Sequence, residues 1–151
     1  MSLYYATAES AAVPNTLATI LEVNPPANRV ATIKQWSLEF SGVSATDVPV
    51  LVQLVEVTAT SAAGTGVTPA SARDGQVAVG ATAKKLPATE GTVTVLETHM
   101  VPPSSGIVIQ YPLGSEIQVQ GAGSTAKGFA IRCNRGAGAA INCDCTIQWD
   151  E

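Results

Sequence analysis

Charge is scarce in this 151-residue chain: Asp, Glu, Lys and Arg together make up 13% of it, about half the usual share. Aromatic residues are scarcer still, at 5%, and there is a single histidine. Each shortage excludes something. The eight Lys and Arg are scattered from Arg29 to Arg135 with no basic stripe to neutralise a phosphate backbone, so no direct nucleic-acid binding is expected of a chain with net charge −4. No stretch approaches the ~20 apolar residues of a membrane span, so no membrane partner is expected either. The opening "MSLYYATAES" has neither the basic n-region nor the apolar h-region of a secretory signal. The expectation is a protein made in a cytoplasm and soluble there, its three cysteines being thiols rather than a disulfide framework.

What is present points to strands. Hydrophobic residues make up 46%, and with so few aromatics the core must come from Val, Ile, Leu and Ala, the first two favouring a pleated, half-buried surface. A chain of this length fits one domain, 1–151, and buries roughly 70% of its unfolded surface without staples. A surface of Thr, Ser, Ala, Gly and Gln suits contact with other protein subunits, and a Ser/Thr-rich exposed sheet has the same composition.

The patterns along the chain agree. "NTLATILEV" reads as a strand closed by Asn24-Pro25-Pro26, which ends a hydrogen-bonded ladder. In "ANRVATIKQWSLEFSG" the second half alternates cleanly and places Trp36, Leu38 and Phe40 inward. After a turn at "SATDVP", the run from Leu51 to Val57 is apolar on both faces apart from Gln53 and Glu56. It reads as a strand covered on both sides, in mid-sheet or at a subunit contact. Residues 59–92 are an Ala/Gly/Thr-rich insertion with Pro69 and Pro87 and no strand beyond a short "QVAVG"; a long loop of this kind is usually functional or partly disordered. A train of short strands follows, separated by "PPSSG", "PLG", "GAGSTA" and "NRGAGA". The expected fold is all-β: a single β-sandwich, jelly-roll-like, of about eight strands with one long insertion.

No motif carries catalytic chemistry. In "INCDCTIQW" the residues Ile141, Cys143, Cys145, Ile147 and Trp149 share one face, so both cysteines point into the core with Ile and Trp. A zinc site with Cys133 and His99 would lack a fourth ligand and the usual spacing. His99, in "ETHMVPP", has nothing beside it in sequence to orient its ring for a nucleophile. "GAGSTAKG" lacks the Gly-Lys-Ser/Thr order of a phosphate loop and joins strands rather than opening a helix. Asp47, Asp74 and Glu90 read as solvated turn residues, and Lys84-Lys85 as a solvated loop tip. No cofactor or metal is expected, and an enzyme is the weakest reading. Two segments are candidate contacts: an N-terminal arm, residues 1–12, with Tyr4 and Tyr5, and the 59–92 loop. The same N-terminal segment also fits a strand packed on its own domain.

Taken together, "IKQWSLEFSGVSATDVPVLVQLVEVTAT", "VTPASARDGQ", "VPPSSGIVIQYPLGSEIQVQGAG" and the closing "IQWDE" resemble the small β-sandwich virion proteins of tailed bacteriophages, the head decoration or cement proteins. The resemblance lies in cadence over nearly the whole chain rather than in an invariant motif. It implies a non-enzymatic protein of the capsid surface that binds the assembled major capsid protein, often as a trimer, and reinforces the shell. A tail- or fibre-associated role, or a carbohydrate-binding jelly-roll module, is the alternative. The module expects exposed aromatic platforms, whereas Trp36 and Trp149 fall on core faces. The inward row of the last strand predicts that Cys143 and Cys145 resist a thiol reagent in the folded protein and react on unfolding; rapid labelling of the native state would contradict that face assignment.

Overall fold

Runs rich in Val, Ile and Thr, punctuated by Pro and Gly, fold into strands throughout. The computed structural model describes residues 2–41, 48–121 and 127–151. Its strands are β1 (Leu3–Ala12), β2 (Ala18–Asn24), β3 (Val30–Ser41), β4 (Val50–Ala59), β5 (Thr65–Val67), β6 (Ala70–Ser71), β7 (Thr82–Lys85), β8 (Thr92–Val101), β9 (Gly106–Gln110), β10 (Ile117–Gln120), β11 (Gly128–Asn134) and β12 (Asn142–Asp150). All pair antiparallel, in two sheets that make an all-β sandwich. Sheet A runs β10-β3-β12-β1-β6, with β9 also on β3; sheet B runs β5-β7-β2-β11-β4-β8.

β9 and β10 lie in series along one edge of β3, against Glu39 to Gln35 and Ile33 to Val30 respectively. Counted as one strand, and with the short β5, β6 and β7 set aside, they leave eight long runs ordered β9/β10-β3-β12-β1 over β8-β4-β11-β2. Most connections therefore cross from one sheet to the other.

Between the sheets lies one main core. β12 contributes Cys143, Cys145, Ile147 and Trp149, all fully buried. Opposite them on β1 stand the small Ala11, Ala8 and Ala6 and, facing Trp149, the buried Tyr4. From sheet B, Phe129 meets Trp149 edge-on at 5.9 Å between ring centroids, and Tyr4 lies 6.3 Å from the same indole. Trp36 and Leu38 are buried, and Phe40 packs half-buried at the rim.

Two bulges explain why the inward face was hard to read. β3 has an extra residue, Lys34, where Gln148 and Trp149 face Gln35 and Ile33. Its inward set is therefore Ala31 and Ile33, then Trp36 and Leu38, because a bulge shifts the period by one. On β1 the register slips between Ala8 and Ala11, where Ser10 takes a positive φ of 47° and its N–H donates to Asp144 Oδ1 at 2.7 Å.

Three expectations are corrected. Residues 1–12 are not an arm: β1 sits between β12 and β6, held by the burial of its alternate side chains. The 59–92 segment is not strandless, since β5 and β7 extend sheet B and β6 caps sheet A; "QVAVG" forms no strand. Lys84 and Lys85 stand on β7, paired with Glu22 and Leu21, not on a loop tip. The turn at 44–47, with Asp47, and residues 122–126 of the "GAGSTA" loop lie outside the described residues.

Trp149 joins β12 to both Tyr4 and Phe129, so Trp149→Ala is expected to lower stability by about 3–5 kcal/mol, the usual range for a buried Trp or Phe. Urea unfolding followed by circular dichroism measures it, and a loss within 1 kcal/mol would show the two sheets held together elsewhere.

Candidate interaction surface

Register builds the outer face of sheet B in rows. One row crosses five strands as Lys84, Glu22, Ala130, Val55 and Val95; the next crosses four as Thr19, Arg132, Gln53 and Thr98. One end of the first row is ionic and the other apolar, and the chain treats the two ends differently.

The ionic end is covered by the 59–92 segment. Its two limbs hydrogen-bond to each other, Ala62 N–H to Thr89 O at 2.9 Å and Ala88 N–H to Ala63 O at 3.4 Å. They cross so closely that a Cβ on Gly91 would collide with the Ala59 carbonyl. Beneath them Glu22 is fully buried. Its carboxylate accepts from Thr60 Oγ1 at 2.8 Å, Asn24 Nδ2 at 2.9 Å and Ser61 N–H at 3.3 Å, with Lys84 Nζ at 3.4 Å. Burial alone would push this carboxyl up, but the hydrogen bonds from Ser61, Asn24 and Thr60, with the Lys84 charge, outweigh it and hold the group below its ordinary range.

A second clamp joins the other limb. Glu90 takes Arg132 in a fork, 2.6 Å to Nε and 2.7 Å to Nη2, and accepts from Thr19 Oγ1 at 2.6 Å. Glu90 is thus a clamp residue rather than a solvated turn carboxylate. Val55, Val57 and Ala130 are buried as a small second core with Val93 against it. The two-sided burial of β4 therefore comes from its own chain.

The apolar end stays open. β8 is the last strand of sheet B, and no strand pairs with its far edge among the described residues. Val95 is 47% exposed, Leu96 37% and Met100 60%, and Met100 faces the half-buried Leu51 across the strand pair. Leu96 is an extra residue at the slip between Leu54 and Val55. A long edge strand without Lys or Pro, carrying exposed aliphatic residues, leaves its backbone groups and apolar side chains available to another chain.

Inside this edge a polar clasp joins the sheets. Trp36 Nε1 donates to Tyr111 OH at 3.1 Å, and that hydroxyl donates to Glu97 Oε1 at 2.8 Å. Glu97 Oε2 lies 3.4 Å from His99 Nε2, and the His99 ring stands over Trp36 at 5.7 Å. Burial, then the Glu97 carboxylate, push the Tyr111 phenol far up. His99 is therefore oriented by Glu97, two residues away on the same strand, and by Trp36, a partner that sequence could not supply.

The remaining candidates separate. Tyr4 is buried, its hydroxyl donating to Val77 O at 2.8 Å, so it is a core residue rather than a contact for another subunit. Tyr5, on the opposite face, is 37% exposed. Burial pushes the Cys143 thiol up to about 12 and the Cys133 and Cys145 thiols well above their ordinary value, so none supplies a thiolate nucleophile near neutral pH. Among the described residues no group of His, Cys, Asp and Glu is placed to hold a metal ion. Trp36 and Trp149 are wholly buried and offer no platform for a sugar. Compared with family models, with curated proteins and with solved structures, the chain matches none.

Because the Glu22 carboxyl is lowered in the folded state, its contribution is present above its ordinary value near 4.5 and is lost as pH falls through its folded value. Glu22→Gln is expected to cost about 1–3 kcal/mol at pH 7 and to flatten the acid limb of stability below pH 4.5. Denaturant titrations from pH 3 to pH 7 measure both, and an unchanged acid limb in the variant would contradict the assignment.

Proposed function

We propose that this chain is a non-enzymatic virion structural protein of tailed bacteriophages: a capsid decoration, or cement, protein that binds the assembled major capsid shell and stabilises it. The strand order β9/β10-β3-β12-β1 over β8-β4-β11-β2 supports reading the sandwich as a jelly roll, two Greek keys wound together. The observation that carries the reading is the open apolar edge of sheet B, where Val95, Leu96 and Met100 remain exposed while the 59–92 segment straps down the Glu22 end of that face.

The mechanism is physical rather than chemical. Burying such partly exposed aliphatic groups stabilises a contact by on the order of 1 kcal/mol each, so one copy holds weakly. A symmetric shell presents many equivalent sites, and an oligomer, a trimer in this reading, engages several at once and gains by effective concentration. Bridging neighbouring capsid subunits then resists their separation. The protein acts at the capsid surface after synthesis in the host cytoplasm.

The test is co-sedimentation with purified expanded capsids. The wild type is expected to saturate and to raise the shell's melting temperature. The double variant Val95→Asp/Met100→Asp is expected to bind at least tenfold more weakly while folding normally, since exposed substitutions usually change stability by no more than about 0.5 kcal/mol. Failure of the wild type to sediment with capsids across a range of salt would sink the decoration reading in favour of a tail or fibre role.

A further inference from the structure

The outer face of sheet A carries a different row. Cross-strand partners place Gln110 on β9, Gln35 on β3, Gln148 on β12 and Tyr5 on β1 side by side. The neighbouring row is Val108, Ser37, Thr146 and Thr7, with the two threonine hydroxyls 2.9 Å apart. The three glutamine amides have no hydrogen-bond partner among the described residues, unlike Thr7 and Thr146 beside them. They form the floor of a cleft of about 290 Å³ walled by Leu3, Tyr111 and Leu113, close to the lower end of small-molecule sites, roughly 300–1,000 Å³.

Two properties of this cleft select a ligand. Each glutamine offers two N–H donors and a carbonyl acceptor, and adjacent strands space them ~4.8 Å apart. A row of free donor–acceptor groups at that interval matches hydroxyl groups along a sugar, whose C–H faces suit apolar walls. At the rim lie Arg73, whose guanidinium has no acidic partner among the described residues, and Lys34, neutralised by Glu116 at 3.0 Å. One uncompensated, forked cation is therefore left over the row, and a planar guanidinium fits a carboxylate.

We propose that this cleft binds a saccharide bearing a carboxylate, its hydroxyls on Gln35, Gln110 and Gln148 and its acid group on Arg73. The site is independent of the capsid-binding reading: it uses the opposite sheet, so either can fail without the other.

The test is titration of the ¹⁵N-labelled full chain with a panel of uronic-acid and sialic-acid oligosaccharides, each beside a neutral oligosaccharide of similar length. With at least one acidic member, the side-chain amide signals of the three glutamines are expected to shift together and to saturate. Arg73→Ala is expected to weaken that binding at least tenfold, and Gln35→Ala with Gln148→Ala to abolish it, with the remaining backbone spectrum unchanged as evidence of folding. Neutral ligands are expected to bind at least tenfold more weakly. The proposal is overturned if no member of the panel moves these signals, if the shifts fall outside the cleft, or if Arg73→Ala binds as well as the wild type.

Discussion

The last strand has to occupy the middle of a sheet. β12 lies between β3 and β1, and without it sheet A separates into β9, β10 and β3 on one side and β1 with the two-residue β6 on the other. In its inward row Cys143, Cys145 and Ile147 face the alanines of β1 and Trp149 faces Tyr4, and Trp149 carries that packing across to Phe129 in sheet B. The first and last strands of the chain are thus paired over almost its whole length. Such non-local pairing makes folding slow, because the loop-closure cost precedes the gain.

With the core closed in this way, two ion pairs hold the strap formed by the 59–92 segment. Lys84 with Glu22 and Arg132 with Glu90 both lie under or beside the 59–92 segment, and each carboxylate also accepts hydrogen bonds from neighbouring groups. A buried carboxylate left unpaired would be costly, so the clamp also specifies where the limbs sit. The consequence is a division of the outer surface. The ionic half of sheet B is sealed by the chain itself, its β8 edge stays apolar and open, and sheet A carries a patch of uncharged amides and hydroxyls beside the exposed Glu39 and Asp144.

How much of this was legible follows from where the period survives. β12 has no extra residue of its own, so its alternation gave Cys143, Cys145, Ile147 and Trp149 directly as one face. β3 could be read only after Lys34, since the bulge there reverses the faces. On β1 the adjacent Tyr4 and Tyr5 were indistinguishable, because pattern alone does not say which face of a neighbouring strand they meet; pairing with Trp149 and Gln148 decides it. The strap was opaque for a different reason: strands of two to four residues are too short to show a period, and a lysine or glutamate whose partner lies tens of residues away looks solvated. The glutamine row was equally invisible, since it is a property of register across three strands.

Docking by the β8 edge, as proposed above, is open to test by hydrogen–deuterium exchange with and without saturating capsids. It predicts that amides of 92–101 gain protection on binding while those of the outer face of sheet A, around Gln35 and Gln148, do not change. Protection confined to sheet A, or none at β8 when the protein is fully bound, would contradict it.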